Sequence, residues 1–291
     1  EYEKSVVEFK RALDLDPTSA GAYRGLARAY ADLQRFDDAE STYKKAIDMK
    51  PEYWGGYDDL GLFYYNRGRH EEALAQFHRV VTLTPHNGRG YNHLGAVYYA
   101  QESWDKAVQM FMRSIEIEPT YRTYSNLGVV EYIQGRYAES AAMLEKALDL
   151  NDKSYVTWAN LANAYYWIPG KREEAYDAYR RAAGIAEELR QINPRDADLL
   201  ASLAGYYVIL GEKDRALSIL EQALTIAPND WWVLYNHGHA YEQLGEREKA
   251  LDWIDKALKA GYPRKEIERD PWLADLRADE RFQQLLRKGV E

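Results

Sequence analysis

The pattern that decides the fold lies in residues 88–119, GRGYNHLGAVYYAQESWDKAVQMFMRSIEIEP. The first half of this stretch carries one amphipathic helical stripe, at Tyr91, Leu94, Gly95 and Tyr98. The second half carries another, at Ala107, Val108, Phe111 and Ile115. Spacings of three and four residues are those of a helix with one buried face. Pro119 ends the second stripe because proline cannot continue a helix. The stretch therefore predicts two consecutive helices.

The same unit recurs along the chain with a period of 34 residues. Prolines mark the period, since Pro17, Pro51, Pro85 and Pro119 are each 34 residues apart, and Pro194 and Pro228 repeat that spacing. Helices of about 14 residues are marginal alone in water, so each must bury its apolar stripe against a neighbour. A fixed period of this length is the signature of a stacked repeat architecture.

The residues at these positions resemble the tetratricopeptide repeat, whose pattern is W-x2-L-G-x2-Y followed by Ala, Phe, Ala and Pro. Two of the matching sets are Tyr57-Leu60-Gly61-Tyr64-Ala73-Phe77-Pro85 and Tyr91-Leu94-Gly95-Tyr98-Ala107-Phe111-Pro119. Similar sets begin at Tyr23, Trp158 and Leu203, and the resemblance covers nearly the whole chain. It implies an all-α fold, a right-handed superhelical solenoid of antiparallel helix pairs.

The period also divides the chain into predicted units. Residues 1–19 are taken as the second half of a truncated repeat, which suggests that the natural protein extends upstream, and residues 265–291 as a C-terminal helical cap. Between them lie seven predicted repeats, at 20–53, 54–87, 88–121, 122–154, 155–196, 197–230 and 231–264. In the cap, we expect Trp272, Leu273, Leu276, Phe282 and Leu285 to cover the last apolar face, as the end of a solenoid requires.

Two predicted repeats depart from the period. The fourth is one residue short, and Glu131 stands where the motif has a packed tyrosine. We expect the Glu131 carboxylate to turn to water, with a polar hinge as the alternative. The fifth repeat is eight residues longer, with seven of them extending its second helix through 184–192. That extension is either inert or a docking ledge.

Composition excludes several classes of function. The chain has 291 residues, a formal net charge of −9 and no cysteine. An acidic chain repels phosphate backbones, so we expect no nucleic-acid binding. Without cysteine there is neither a disulfide nor a thiolate metal site, and this fits a cytoplasmic location. The sequence has no run of eighteen apolar residues, which argues against a membrane partner.

The sequence contains no motif that supports catalysis. The six histidines form no His-Glu-x-x-His pair, and no phosphate-binding glycine loop or nucleophile elbow occurs. We therefore expect no enzyme activity, no cofactor and no metal site in this segment.

A groove lined by the first helix of each pair is the expected binding site, because stacked repeats curve. Tyrosines recur in register there, at Tyr65, Tyr99, Tyr132 and Tyr166. Asn126, Asn160 and Asn236 share another position, at which Asp59 and His93 stand in two other repeats, and Asn92 and Asn163 lie nearby. Tyrosine offers a rigid surface with a polar tip, and asparagine can pair with both the N–H and the C=O of a peptide. Whether this series lines the groove or only fills gaps between helices stays open.

The asparagine series resembles the ladder in the repeat region of O-linked N-acetylglucosamine transferase, which implies recognition of an extended peptide backbone. Four arginines fall on predicted groove positions, at Arg24, Arg28, Arg89 and Arg122, and suggest an acidic or C-terminal peptide feature near the N-terminal half. The candidate peptide-binding residues are thus Arg24, Arg28, Tyr65, Arg89, Asn92, Tyr99, Arg122, Asn126, Tyr132, Asn160, Asn163 and Tyr166. The carboxylate clamp of co-chaperones is disfavoured, since Asp59 would oppose a terminal carboxylate.

The predicted function is a scaffold that binds a protein or peptide partner in the groove. One alternative is a self-associating element whose open N-terminal edge stacks on a second copy. Another is the substrate-recruiting region of a larger signalling enzyme with its catalytic domain upstream. The C-terminal end, residues 261–286, resembles the ends of repeat regions in bacterial signalling proteins linked to kinases, cyclases or winged-helix regulators, which suggests a bacterial source.

Overall fold

The computed structural model describes residues 2–288, and it is helical throughout, with short connections. It divides into two compact units, residues 1–134 and 135–291. Residue 1, at the start of the predicted half repeat, and residues 289–291, at the end of the predicted cap, lie outside the described part. The division falls within the predicted fourth repeat, between its two helices.

The first unit contains eight helices among its described residues. They are α1 Tyr2–Leu15, α2 Ala20–Asp32, α3 Phe36–Met49, α4 Trp54–Asn66, α5 His70–Leu83, α6 Gly88–Ala100, α7 Trp104–Ile117 and α8 Tyr121–Ile133. The even-numbered helices α2, α4, α6 and α8 carry the first stripe of the period, and we call them first helices. The odd-numbered helices carry the second stripe, and we call them second helices.

The second unit begins with the same alternation and ends differently. Its helices are α9 Tyr137–Leu150, α10 Tyr155–Trp167, α11 Arg172–Ile192, α12 Ala197–Ile209, α13 Lys213–Ile226, α14 Trp231–Gln243, α15 Arg247–Lys259, α16 Arg264–Arg269, α17 Ala274–Arg277 and α18 Glu280–Lys288. A 3-10 turn, Pro271–Leu273, joins α16 to α17. Here α10, α12 and α14 are the first helices.

Local sequence explains where most first helices begin. A polar side chain stands immediately before the helix and accepts a hydrogen bond from a backbone N–H of the first turn. Such caps are Ser19 for α2, Asn87 for α6, Thr120 for α8, Ser154 for α10, Asp196 for α12 and Asp230 for α14. The turn from a first to a second helix needs one residue with positive φ, which glycine adopts most easily, as at Gly211 with φ 82°.

Within a pair, the two helices approach closely at a small residue. A Cβ atom built on Gly95 of α6 would lie 2.6 Å from the ring of Phe111 on α7, and one on Gly61 of α4 would lie 2.6 Å from Phe77 on α5. The two phenylalanine rings are fully buried. The glycine of the motif is therefore the recess that receives the aromatic ring of the partner helix.

Between pairs, large side chains fill the interior. In the first unit, Leu26, Tyr43, Leu60, Phe63 and Leu94 belong to one continuous cluster. In the second unit, Leu200, Leu203 and Leu220 lie at the centre of the main cluster. The all-α fold of stacked helix pairs predicted from the period is confirmed.

The long helix α11 has a structural role over part of its extension. Ala183 and Ala186 are buried and pack with Leu199 and Leu200 of α12. Ile192, at the end of α11, is exposed. The extension is thus anchored on its inner side, and the proposal of a docking ledge concerns only its outer side.

One expectation at the fourth repeat is wrong. Glu131, on α8, is buried, with 8% of its surface exposed, and does not turn to water. Its neighbours along the helix explain the difference, because position 131 lies on the same face as the buried Leu127 and Gly128. A helix cannot rotate one side chain outward without moving the rest of its packed stripe.

Candidate functional site

The first helices form the inner side of the first unit. Helix α2 contacts α4, α4 contacts α6, and α6 contacts α8, whereas no contact of that extent joins consecutive second helices in the described residues. A stack whose first helices are closer together than its second helices curves with the first helices inside. We call the surface that α2, α4, α6 and α8 present on this side the inner face.

A buried aspartate joins the first two helices of the inner face. Asp59 of α4 is 6% exposed, and Arg24 of α2 donates a hydrogen bond from Nε to its Oδ2. Arg28, one turn further along α2, lies 3.6 Å from the other carboxylate oxygen. Arg24 also donates to the hydroxyl of Tyr53, at 3.2 Å. Burying an ionised carboxylate is costly unless it is paired, so both arginines are held by Asp59.

A second aspartate of α4 makes the same kind of contacts with the next first helix, α6. Asp58 of α4 is 2% exposed. Its Oδ1 lies 2.8 Å from Nδ1 of His93 on α6, and its Oδ2 lies 2.8 Å from Nη2 of Arg89. The ring of His93 also packs on Phe77, with centroids 4.9 Å apart. Asp58 therefore fixes the positions of two side chains on the neighbouring helix.

An asparagine pair continues the series. Asn126 of α8 donates from Nδ2 to Oδ1 of Asn92 on α6, at 3.2 Å. The bond uses one donor of Asn126 and the carbonyl of Asn92, and each amide has further hydrogen-bonding capacity. Both side chains are half-buried on the inner face.

These contacts share a spacing that the sequence analysis missed. The bonded partners Arg24–Asp59 and Asp58–His93 are 35 residues apart, and Asn92–Asn126 are 34 apart. Each joins a residue on one first helix to the next first helix. Complementary residue types at an offset of one period would have been the signal for this ladder of side chains, which we call the polar ladder.

The tyrosine series lies beside the polar ladder and is half-buried. The rings of Tyr65 and His70 are tilted against each other, with centroids 6.1 Å apart, and burial raises the pKa of the Tyr65 hydroxyl. Tyr99 packs on Trp104 at 5.5 Å. Tyr132 is half-buried on α8. His70 and Trp104 are the first residues of second helices, so Tyr65 and Tyr99 partly close the gap within a pair while one side stays open.

The arginines are less free than the sequence suggested. Three of the four predicted groove arginines, Arg24, Arg28 and Arg89, lie against Asp58 or Asp59. Arg122 is exposed and lies over the ring of Tyr121, 5.4 Å from its centroid. The two buried carboxylates offset the positive charge of Arg24, Arg28 and Arg89. The arginines therefore give less reason to expect an acidic peptide than the sequence did.

The candidate residues of the second unit have different surroundings. Asn163 of α10 accepts a hydrogen bond from the hydroxyl of Tyr179, and Asn160 is half-buried on the same helix. Tyr166 lies against Trp272 of the C-terminal segment, with ring centroids 4.1 Å apart. The structure therefore brings Arg24, Arg28, Arg89, Asn92 and Asn126 into the polar ladder, leaves Arg122 outside it, and covers part of Tyr166.

The cap corrects one prediction. Leu273, Leu276 and Phe282 are fully buried against the last helix pair, as expected, and Leu285 packs beside them. Trp272 does not cover that end, because it points onto α10 and α14 instead. Pro271 forces the chain out of helix α16 at Asp270, and this turn directs Trp272 towards α10 and α14.

Within residues 2–288, no group of three or more His, Cys, Asp or Glu side chains is arranged to hold a metal ion. None of the helices in that range combines the length and the apolar character that crossing a membrane requires.

Family models of one kind match most of the chain. Models described as tetratricopeptide repeat match residues 1–56, 56–118, 120–151 and 207–267. This chain belongs to the tetratricopeptide-repeat family. The family fold generally mediates protein–protein interaction. The matches end before the last two helices, so the resemblance of the C-terminal end to bacterial signalling proteins stays a prediction.

Solved structures agree on the fold of this tetratricopeptide-repeat chain. A chain of the APC/C hetero-tetramer Cut9–Hcn1 aligns over 100% of the chain with a TM-score of 0.63 and 16% identity. Our chain spans 53% of that protein's length. A tetratricopeptide repeat protein from Parabacteroides merdae aligns over 94% of this chain and 99% of its own, with a TM-score of 0.60 and 20% identity. PilF of Pseudomonas aeruginosa aligns over 78% and 96%, with a TM-score of 0.58 and 19% identity. No curated protein sequence matches the chain.

Proposed function

We propose that this tetratricopeptide-repeat chain is a non-catalytic scaffold that binds an extended segment of a protein partner along the inner face of its first unit. The observation that carries the proposal is the polar ladder, in which side chains of consecutive first helices hold one another in place. Side chains that are already fixed lose little conformational freedom when a ligand arrives, and this preorganisation favours binding.

The geometry of the inner face suits an extended backbone. Asn92 and Asn126 present amide groups from neighbouring helices at a hydrogen-bonded separation of 3.2 Å. A peptide that crosses the helices would meet one such polar position per repeat. Tyr65, Tyr99 and Tyr132 run beside this row and offer flat apolar surface with a polar tip. We therefore assign backbone recognition to the asparagines and side-chain contact to the tyrosines.

The charges on the inner face favour a partner segment that carries isolated carboxylates over one that is strongly acidic. The side chains of Arg28 and Arg89 remain 68% and 53% exposed although both lie near a buried aspartate. They can donate to a peptide carbonyl or to an isolated carboxylate without leaving Asp58 or Asp59. A strongly acidic ligand gains less here, because the two aspartates already neutralise part of the positive charge.

The proposal is tested with a peptide array and two substitutions. The variant Tyr99→Ala/Tyr132→Ala removes aromatic surface from α6 and α8, and we expect it to weaken captured peptides about tenfold or more, since central aromatic residues dominate interface energies. Met112→Ala on α7 is the matched control, because it truncates an exposed apolar side chain of a second helix in the same pair as Tyr99. Undiminished binding by the double variant would exclude this surface.

A further inference from the structure

The C-terminal segment of the second unit leaves the repeat pattern at one point. Helix α16 ends at Arg269, and Asp270 accepts a hydrogen bond from the backbone N–H of Trp272, at 2.9 Å. The hydroxyl of Tyr235 donates to the other oxygen of Asp270. These two residues are 35 apart, the same offset as in the polar ladder, so Asp270 takes the place that the ladder residue of a further first helix would occupy.

Trp272 lies against two first helices of the second unit. Its ring is 4.1 Å from that of Tyr166 and 5.6 Å from that of Trp167, both on α10, and 5.9 Å from that of His239 on α14. Its backbone oxygen accepts from Nε2 of Gln243, at 3.1 Å. The side chains of two first helices thus surround one indole ring, and we call Tyr166, Trp167 and His239 the aromatic pocket.

The segment is also anchored outside the aromatic pocket. Leu273, Leu276 and Phe282 are fully buried in a cluster with Leu251 and Ile254, and they anchor the segment on the last helix pair. Trp272 points away from that cluster and stays half-buried, so its ring is accessible from solvent. A side chain that lies in a pocket, and whose backbone is anchored elsewhere, can leave that pocket without unfolding the cap.

We propose that the aromatic pocket is a recognition site for a tryptophan carried on an aspartate-proline turn, and that the protein's own Asp270–Leu273 occupies it as an internal ligand. A partner segment with the same chemistry, acidic residue, proline and tryptophan in sequence, binds only when it displaces Trp272. The inference goes beyond the proposed function, because the aromatic pocket belongs to the second unit, whereas the proposed peptide site belongs to the first.

Tethering makes the competition measurable. A ligand on the same chain acts at an effective concentration in the millimolar range, so a weak external ligand competes poorly while Trp272 is present. The tetrapeptide acetyl-Asp-Pro-Trp-Leu-amide reproduces the bound turn and serves as the probe. We expect it to bind Trp272→Ala at least about tenfold more tightly than the unchanged protein.

The experiment compares four proteins by calorimetry with this probe. Trp231→Ala is the matched control, because it removes a tryptophan of the same unit that is 43% exposed and outside the pocket; it should bind like the unchanged protein. Tyr166→Ala/Trp272→Ala should lose the gain of Trp272→Ala, since Tyr166 makes the closest ring contact. Equal affinity of Trp272→Ala and the unchanged protein overturns the proposal, and so does an unaltered affinity when Tyr166 is removed as well.

Two further controls keep the result interpretable. If Trp272→Ala does not fold, as judged by circular dichroism, Trp272→Leu replaces it, because leucine retains apolar surface without the indole ring. The probe requires no natural partner, so loss of array binding in the Tyr99→Ala/Tyr132→Ala variant bears on the proposed function alone. Probe binding that depends on Tyr166 supports the pocket whatever the array shows.

Discussion

Replacing Gly95 with alanine tests the packing on which the fold depends. The new Cβ would lie 2.6 Å from two ring atoms of Phe111. Ordinary contact needs about 3.5–4.0 Å, so the ring or the helix must move by about 1 Å. Phe111 is 1% exposed, so other protein atoms enclose its ring.

The expected magnitude follows from two opposing effects. Overpacking a closely packed core costs about 1–3 kcal/mol, and this contact belongs at the upper end because the ring is fully buried. Alanine regains about 1 kcal/mol through its higher helix propensity. Gly95→Ala should therefore lower the free energy of unfolding by about 2 kcal/mol.

The chain offers a matched control in Gly184. It lies inside α11, and no heavy atom would come within 4 Å of an added Cβ. Gly184→Ala should raise the free energy of unfolding by about 1 kcal/mol, because only helix propensity changes. The two substitutions are chemically identical and should differ in sign.

Urea unfolding followed by circular dichroism measures both effects. The midpoint should fall for Gly95→Ala and rise for Gly184→Ala with unchanged slopes, since the surface exposed on unfolding is the same. Combining Gly95→Ala with Phe111→Leu should cost less than the sum of the two single changes, because the smaller side chain removes the clash. If Gly95→Ala were as stable as Gly184→Ala, the recess described between α6 and α7 would not exist.

Two other predictions concern surface groups that the structure ties down. Partial burial raises the pKa of Glu40, but hydrogen bonds from Lys44, Arg69 and Tyr64 outweigh it and lower the pKa to about 2. Because the folded pKa lies below the ordinary value, this stabilisation is present above pH 4.5 and is lost as the pH falls towards 2. The difference in unfolding free energy between the unchanged protein and Glu40→Gln should therefore shrink over that range. A difference that does not depend on pH would refute the assignment. Asp230→Ala should lower the free energy of unfolding in urea by about 1 kcal/mol, because it removes the side-chain cap of α14. Asp230→Asn keeps a capping side chain and should be close in stability to the unchanged protein. Equal losses for both variants would show that the cap does not matter.

The sequence was sufficient for the fold because its signals are local and repeated. Pro51, Pro85 and Pro119 follow the ends of α3, α5 and α7 within two residues. The two helical stripes predicted within residues 88–119 fall inside α6 and α7. Neither inference needs knowledge of how distant parts of the chain meet.

The candidate site was less predictable because its contacts depend on register between helices. Sequence reasoning placed Asp59 in the asparagine series and treated it as an obstacle to a terminal carboxylate, whereas the structure pairs it with Arg24 and Arg28. It placed Trp272 on the end of the cap, whereas the turn at Pro271 directs the ring onto Tyr166. A one-residue change in where α16 ends would alter that direction, and no periodic signal marks the end.

Hydrogen–deuterium exchange with a peptide selected from the array tests the central claim most directly. If the inner face of the first unit binds the partner, exchange should slow in the first helices α4, α6 and α8 when the peptide is added, and the second helices α5 and α7 should change little. Protection confined to α5 and α7, or no protection in the first unit at a saturating peptide concentration, would contradict the account.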